Sequence, residues 1–104
     1  MKYQSFKALI ELIKRYRAYN DKDYNTVVIV GLEALGELRS KCVKTLFDIR
    51  DNKQEYFYGS RIILESKDSN CLAVAYEDKL SGVITDITEI TEEAIKNDSK
   101  QGST

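Results

Sequence analysis

The chain has 104 residues, 42% of them apolar and 32% charged, and a formal net charge of -1. Such a length holds one domain with one modest core, and such a mixture is globular rather than disordered. The near-neutral charge speaks against a protein that coats nucleic acid by charge alone.

Residues 3–18 predict an amphipathic helix. Phe6, Leu9, Ile10, Ile13 and Tyr16 recur at three- and four-residue steps and share one face, which Leu12 widens. Lys7, Glu11, Lys14 and Arg15 lie opposite. Charges interrupt every apolar stretch here, so the segment does not read as a secretion signal. No run in the chain approaches the ~18 apolar residues of a membrane span, and a soluble cytoplasmic protein is expected. The turn chemistry of Asn20–Asn25 ends the helix.

Residues 26–50 read in two ways. The β-branched run Thr26–Val30 predicts a short buried strand, with Gly31 starting a turn into a helix over Leu32–Ser40. The alternative is one long helix, because Val28, Leu32, Leu35, Cys42, Leu46 and Ile49 fit a four-three seam broken only by Arg39. Gly31, Gly36 and the β-branched run weigh against that helix, so the split is favoured.

From Cys42 to Ile87 the chain reads as an antiparallel meander. Val43–Ile49 is a strand candidate, followed by a tight turn at Arg50–Lys53. Gln54–Glu65 reads as one long strand bent at Gly59. A turn at Lys67–Asn70 leads to a nearly all-apolar central strand, Cys71–Tyr76. A third turn over Glu77–Gly82 precedes a strand at Val83–Ile87. Asp86 or Thr91 would then cap a short final helix to about Asn97, its early acids and late Lys96 suiting the helix dipole. The expected fold is α+β: the N-terminal helix packed on an antiparallel sheet of four to five strands, with a short C-terminal helix. Residues 1–97 form the expected domain, and 98–104 a disordered polar tail.

The usual parts of a catalytic site are missing. There is no histidine to take a proton from Ser40, Ser60 or Ser81. Cys42 lies between Lys41 and Lys44 only in sequence, since strand alternation points it away from Lys41. Cys42 and Cys71 read as two free, buried thiols. Two isolated cysteines without histidine cannot build a zinc site, and no metal or cofactor is expected. Asp21–Asn25 imitates half a calcium loop but lacks the later glycine and glutamate. Gly31 and Gly36 frame a G-x-x-x-x-G followed by Glu37-Leu38, where a phosphate loop needs lysine and a hydroxyl.

Two segments carry binding chemistry. Alternation puts Tyr56 and Tyr58 on one face of a strand, where with Arg61 they form a candidate protein contact, since aromatic and arginine residues dominate interface energetics. The basic N-terminal helix offers Lys7, Lys14, Arg15 and Arg17 to phosphates, although Tyr16 belongs to its apolar face. Residues 65–98 hold nine acids against three lysines, and this charge polarity can steer a partner. Lysine outnumbers arginine eleven to five, and isoleucine and tyrosine are abundant, a bias of AT-rich genomes and their phages and mobile elements. The expected function is therefore a small non-catalytic regulator, inhibitor or immunity-type protein that occludes a partner protein. A nucleic-acid-binding accessory role is the alternative, and carboxylate or lysine chemistry is the third. A homodimer follows if residues 26–50 form one helix.

Overall fold

The structure is a computed structural model that describes residues 3–19, 22–41, 46–50 and 52–90. It contains helix α1 (Tyr3–Ala18), strand β1 (Tyr24–Val30), helix α2 (Leu32–Lys41), and strands β2 (Phe47–Ile49), β3 (Glu55–Phe57), β4 (Ser60–Leu64), β5 (Leu72–Asp78) and β6 (Ile84–Glu89). The fold is α+β, with α1 packed on a six-stranded sheet of order β2-β3-β4-β1-β5-β6. The sheet is mixed rather than antiparallel, because β1 runs parallel to β4 and antiparallel to β5. Strand number and direction thus both correct the expectation from sequence. No described helix is long and apolar enough to cross a membrane.

Both helices cover one face of the sheet. Leu9, Leu12 and Ile13 of α1 and Ala34, Leu35 and Leu38 of α2 pack with Val28, Val30, Ile62, Leu72 and Val74 in one core. The other face carries a smaller cluster of Val27, Ile29, Cys71, Ala73 and Ala75. Strands β1 and β5 are buried on both sides, which is why Thr26–Val30 and Leu72–Ala75 lack polar alternation.

Residues 26–50 adopt the strand–helix split. Gly31 separates β1 from α2, and its N–H donates to the Cys71 carbonyl at 2.9 Å. The long-helix alternative is overturned, and the seam that would have driven a homodimer is not formed. Of the expected strand Val43–Ile49, β2 covers Phe47–Ile49, while residues 42–45, including Cys42, lie outside the described residues.

The expected single strand over Gln54–Glu65 is two strands. Tyr58 and Gly59, with φ of 51° and 80°, form a two-residue hairpin turn between Phe57 and Ser60. Tyrosine is a poor residue for the left-handed region, and tertiary contacts hold it there. The Tyr58 N–H donates to the Leu46 carbonyl at 2.7 Å, and its own carbonyl accepts from Arg17. A helix capped at Asp86 is also overturned, since Asp86–Glu89 belongs to β6. A helix starting at Thr91, and the tail at 98–104, lie outside the described residues.

Candidate functional site

Unequal strand pairing creates the site. Strand β1 pairs with β5 from Tyr24 onward, opposite Asp78, but with β4 only from Val27, opposite Arg61. Where β4 would continue alongside Tyr24 and Asn25, the chain instead turns away through Tyr58-Gly59 into β3. A notch is left at this end of the sheet, with a volume of about 590 Å³. That is within the range of sites for small ligands or an inserted side chain.

The notch is cationic. Arg17 comes from the end of α1, Lys22 from the turn before β1, Lys79 from the turn after β5, Arg50 from the β2–β3 turn and Arg61 from β4. Lys22 and Lys79 are neighbours because the Lys79 N–H donates to the Asp23 carbonyl at 2.9 Å. Glu77 is the single carboxylate of the lining among the described residues, and Arg61 engages it. The register puts Arg61 beside Val27 and Glu77 beside Asn25, so this ion pair spans β1 from β4 to β5 and covers Val27.

Each other arginine is oriented by its surroundings. Arg50 lies over the Tyr56 ring, 3.9 Å from its centre, and its Nε is 3.4 Å from the Asp48 carboxylate. Arg17 donates to the Tyr58 carbonyl and to Ser60 Oγ at 2.8 Å, and its guanidinium sits 5.1 Å from the centre of the Tyr58 ring. Among the described residues the acceptors of Arg17 are neutral, and no carboxylate pairs with Lys22 or Lys79. Thr26 also lines the notch, and its buried Oγ1 has no hydrogen-bond partner among the described residues. An orphaned buried hydroxyl costs about 1–3 kcal/mol.

The structure brings together parts of both segments singled out from sequence. Tyr56 and Arg61 are direct cross-strand neighbours and both line the notch. Tyr58 does not share their face. It sits in the hairpin turn, with its ring against the helix-covered core, so the expected Tyr56/Tyr58 platform is not formed. Alternation fails there because the strand ends at Phe57. Arg17 reaches the notch, whereas Lys7, Lys14 and Arg15 stand exposed on α1 away from it. Lys14 pairs with Glu11 at 3.5 Å, an ordinary surface contact. Tyr16 turns to the sheet, its ring 4.6 Å from that of Tyr76.

Sequence reasoning missed Lys22, Tyr24, Arg50 and Lys79. The two lysines read as turn residues, and only the pairing of β1 with β5 joins their turns. Other candidates are occupied. The first amides of α2, which a phosphate loop would use, donate instead to the Ser69 carbonyl, Glu33 at 2.9 Å and Ala34 at 3.2 Å. Cys71 is buried, and desolvation, helped by Glu89, Asp68 and Glu65, pushes its thiol up from its ordinary value, away from nucleophilic use. Among the described residues no group of three or more cysteine, aspartate and glutamate side chains is placed to hold a metal ion. No protein-family model matches the chain, and neither a curated protein nor a solved structure matches it.

Proposed function

We propose that this is a non-catalytic binding protein that regulates a partner protein by occluding it, and that the notch is its contact site. The reading rests on one observation: among the described residues, five cations line a single cleft whose one carboxylate is already paired. Such a cleft attracts and orients an acidic group on another molecule. Tyr56, held under Arg50, supplies the rigid aromatic contact that interface anchors use. A phage or mobile element is a natural home for a small occluding regulator of this kind.

The test is capture of the partner from native host extract on immobilised protein, followed by assay of that partner's own activity. Wild-type protein is expected to suppress the activity. Tyr56→Ala is expected to weaken binding about tenfold or more, with an unchanged melting temperature. Undiminished binding by Tyr56→Ala, or no effect on the captured protein's activity, rejects the reading.

A further inference from the structure

We propose that the notch binds a phosphate monoester, carried by a phosphorylated side chain of the partner, with Arg17, Lys22 and Lys79 as its cations and the Thr26 hydroxyl as a neutral donor. The proposal rests on the notch being the partner site and names the group that enters it.

Charge is the first argument. A phosphate monoester carries about -1.5 to -2 at neutral pH, whereas a carboxylate carries one charge. Arg17, Lys22 and Lys79 face the notch without a carboxylate partner among the described residues. One carboxylate would leave most of that charge unbalanced. One phosphate balances most of it.

Direction is the second argument. The donors come from four places: the end of α1, the turn before β1, the turn after β5 and the β1 wall itself. A planar carboxylate cannot face all of these at once, while three phosphate oxygens can be shared among them. Arg17 needs only to exchange two neutral acceptors, the Tyr58 carbonyl and Ser60 Oγ, for a charged one. Charge-assisted bonds of that kind are roughly twice as strong as neutral ones. By register Thr26 and Ser60 stand side by side, one step before the Val27–Arg61 pair. Rotation about χ1 lets the orphaned Thr26 hydroxyl find its missing acceptor in the ligand.

A nucleic-acid strand fits less well. Continuous binding needs a track of cations with ring faces open for stacking. Here Lys7, Lys14 and Arg15 lie off the notch, and Arg50 and Arg17 each already occupy one ring face, of Tyr56 and of Tyr58. The site accepts one group rather than a chain of them.

The experiment follows backbone amide signals of the full chain by NMR at constant ionic strength. The probes are inorganic phosphate, a phosphoserine peptide, the same peptide with glutamate, adenosine monophosphate and a single-stranded oligonucleotide. Saturable shifts of Tyr24–Thr26 and Gly59–Arg61 are expected with phosphate and with the phosphopeptide, the latter binding tightest. Lys22→Gln with Lys79→Gln, both at exposed positions, is expected to weaken phosphate binding about tenfold or more without change in melting temperature. Thr26→Val is expected to weaken it severalfold while remaining folded.

Absence of saturation up to about 10 mM phosphate overturns the proposal, as does a double variant that binds like wild type. Equal binding of the glutamate peptide overturns the phosphate assignment but leaves the occluding function standing. Tightest binding of adenosine monophosphate keeps the phosphate chemistry and overturns the protein source. Binding of the oligonucleotide alone overturns both in favour of nucleic acid. Phosphopeptide binding with no captured partner supports the site and rejects the occluding function.

Discussion

Three glycines separate what space permits from what backbone conformation permits. A Cβ on Gly31 would lie 2.0 Å from the Asp68 carbonyl oxygen and 2.3 Å from the Ser69 carbonyl carbon, both fixed backbone atoms. Those residues approach so closely because Ser69 caps α2 and Cys71 accepts the Gly31 N–H. Gly31→Ala must therefore open the β1–α2 junction, and a loss of about 3 kcal/mol or more is expected. Gly36 has nothing within 4 Å of its added Cβ and lies in the exposed interior of α2. Gly36→Ala is expected to gain about 0.5–1 kcal/mol, by helix propensity and a less mobile unfolded chain. Gly59 lies between these limits. Its φ of 80° strains any side chain, and an added Cβ would come 3.2 Å from Arg17 Nη2. Gly59→Ala is expected to cost about 1 kcal/mol and to weaken anion binding by moving Arg17. Urea denaturation of the three variants checks the order, with Gly36→Ala above wild type and Gly31→Ala lowest.

At the scale of elements, Tyr16 is the rivet between α1 and the far edge of the sheet. Its hydroxyl donates to the Asp86 carbonyl and lies 2.6 Å from Thr88 Oγ1, both in β6. The Tyr76 hydroxyl donates back to the Tyr16 carbonyl at 2.6 Å. Tyr16→Phe keeps the ring contact and removes the bonds to β6, so a loss of about 1 kcal/mol is expected, with faster hydrogen exchange of β6 amides than of β1 amides. The same elements show what a sequence can disclose. Helix α1, the β1–Gly31–α2 break and β5 were legible because their signals are local: one apolar face, a β-branched run, an apolar block. The β3–β4 hairpin was not, because a tyrosine occupies its first left-handed position and its stabilising partners, Leu46 and Arg17, are distant in sequence. Strand β6 was half legible. Ile84 fell within the expected strand, but Ile87 and Ile90, three residues apart beside early acids, imitate a helix, and an irregularity in the β5–β6 register, with Asp86 at φ 54°, shifts the phase of the strand. At the notch, Tyr56 and Arg61 were visible as contact chemistry, and Arg17 as a cation. Their meeting was not, since it depends on the parallel β1–β4 pairing, which no local pattern encodes.

Across the whole molecule, charge is laid out along β1 and β5. The notch holds the cations at one end of these strands, while Cys71, at the other end of β5, lies among Glu65, Asp68 and Glu89. This layout makes stability depend on pH in a defined way. Burial, then the nearby carboxylates, raises the Cys71 thiol above its ordinary value. Burial, then Tyr16 and Asp86, raises the Tyr76 phenol as well. Both groups hold their protons more tightly when folded, so their contributions are complete below the unfolded values and are lost as pH rises through the folded ones. Stability is expected to fall above about pH 9, first through Cys71 and then through Tyr76. Asp78 has the opposite sign. Its carboxylate accepts the Leu80 and Ser81 amides at 2.8 and 3.0 Å, and the bonds from Ser81 and Leu80 hold it below its ordinary value. Its contribution is present above about pH 4 and is lost as pH falls through the lowered folded value. Urea midpoints measured from about pH 3 to 11 should therefore form a plateau that declines at both ends. Cys71→Ala should remove the first alkaline step and leave the Tyr76 step in place, while Asp78→Ala should flatten the acid limb. An alkaline limb unchanged by Cys71→Ala would mean that the thiol ionises as readily in the folded chain as in the unfolded one, and that the carboxylates around it exert no effect on its proton.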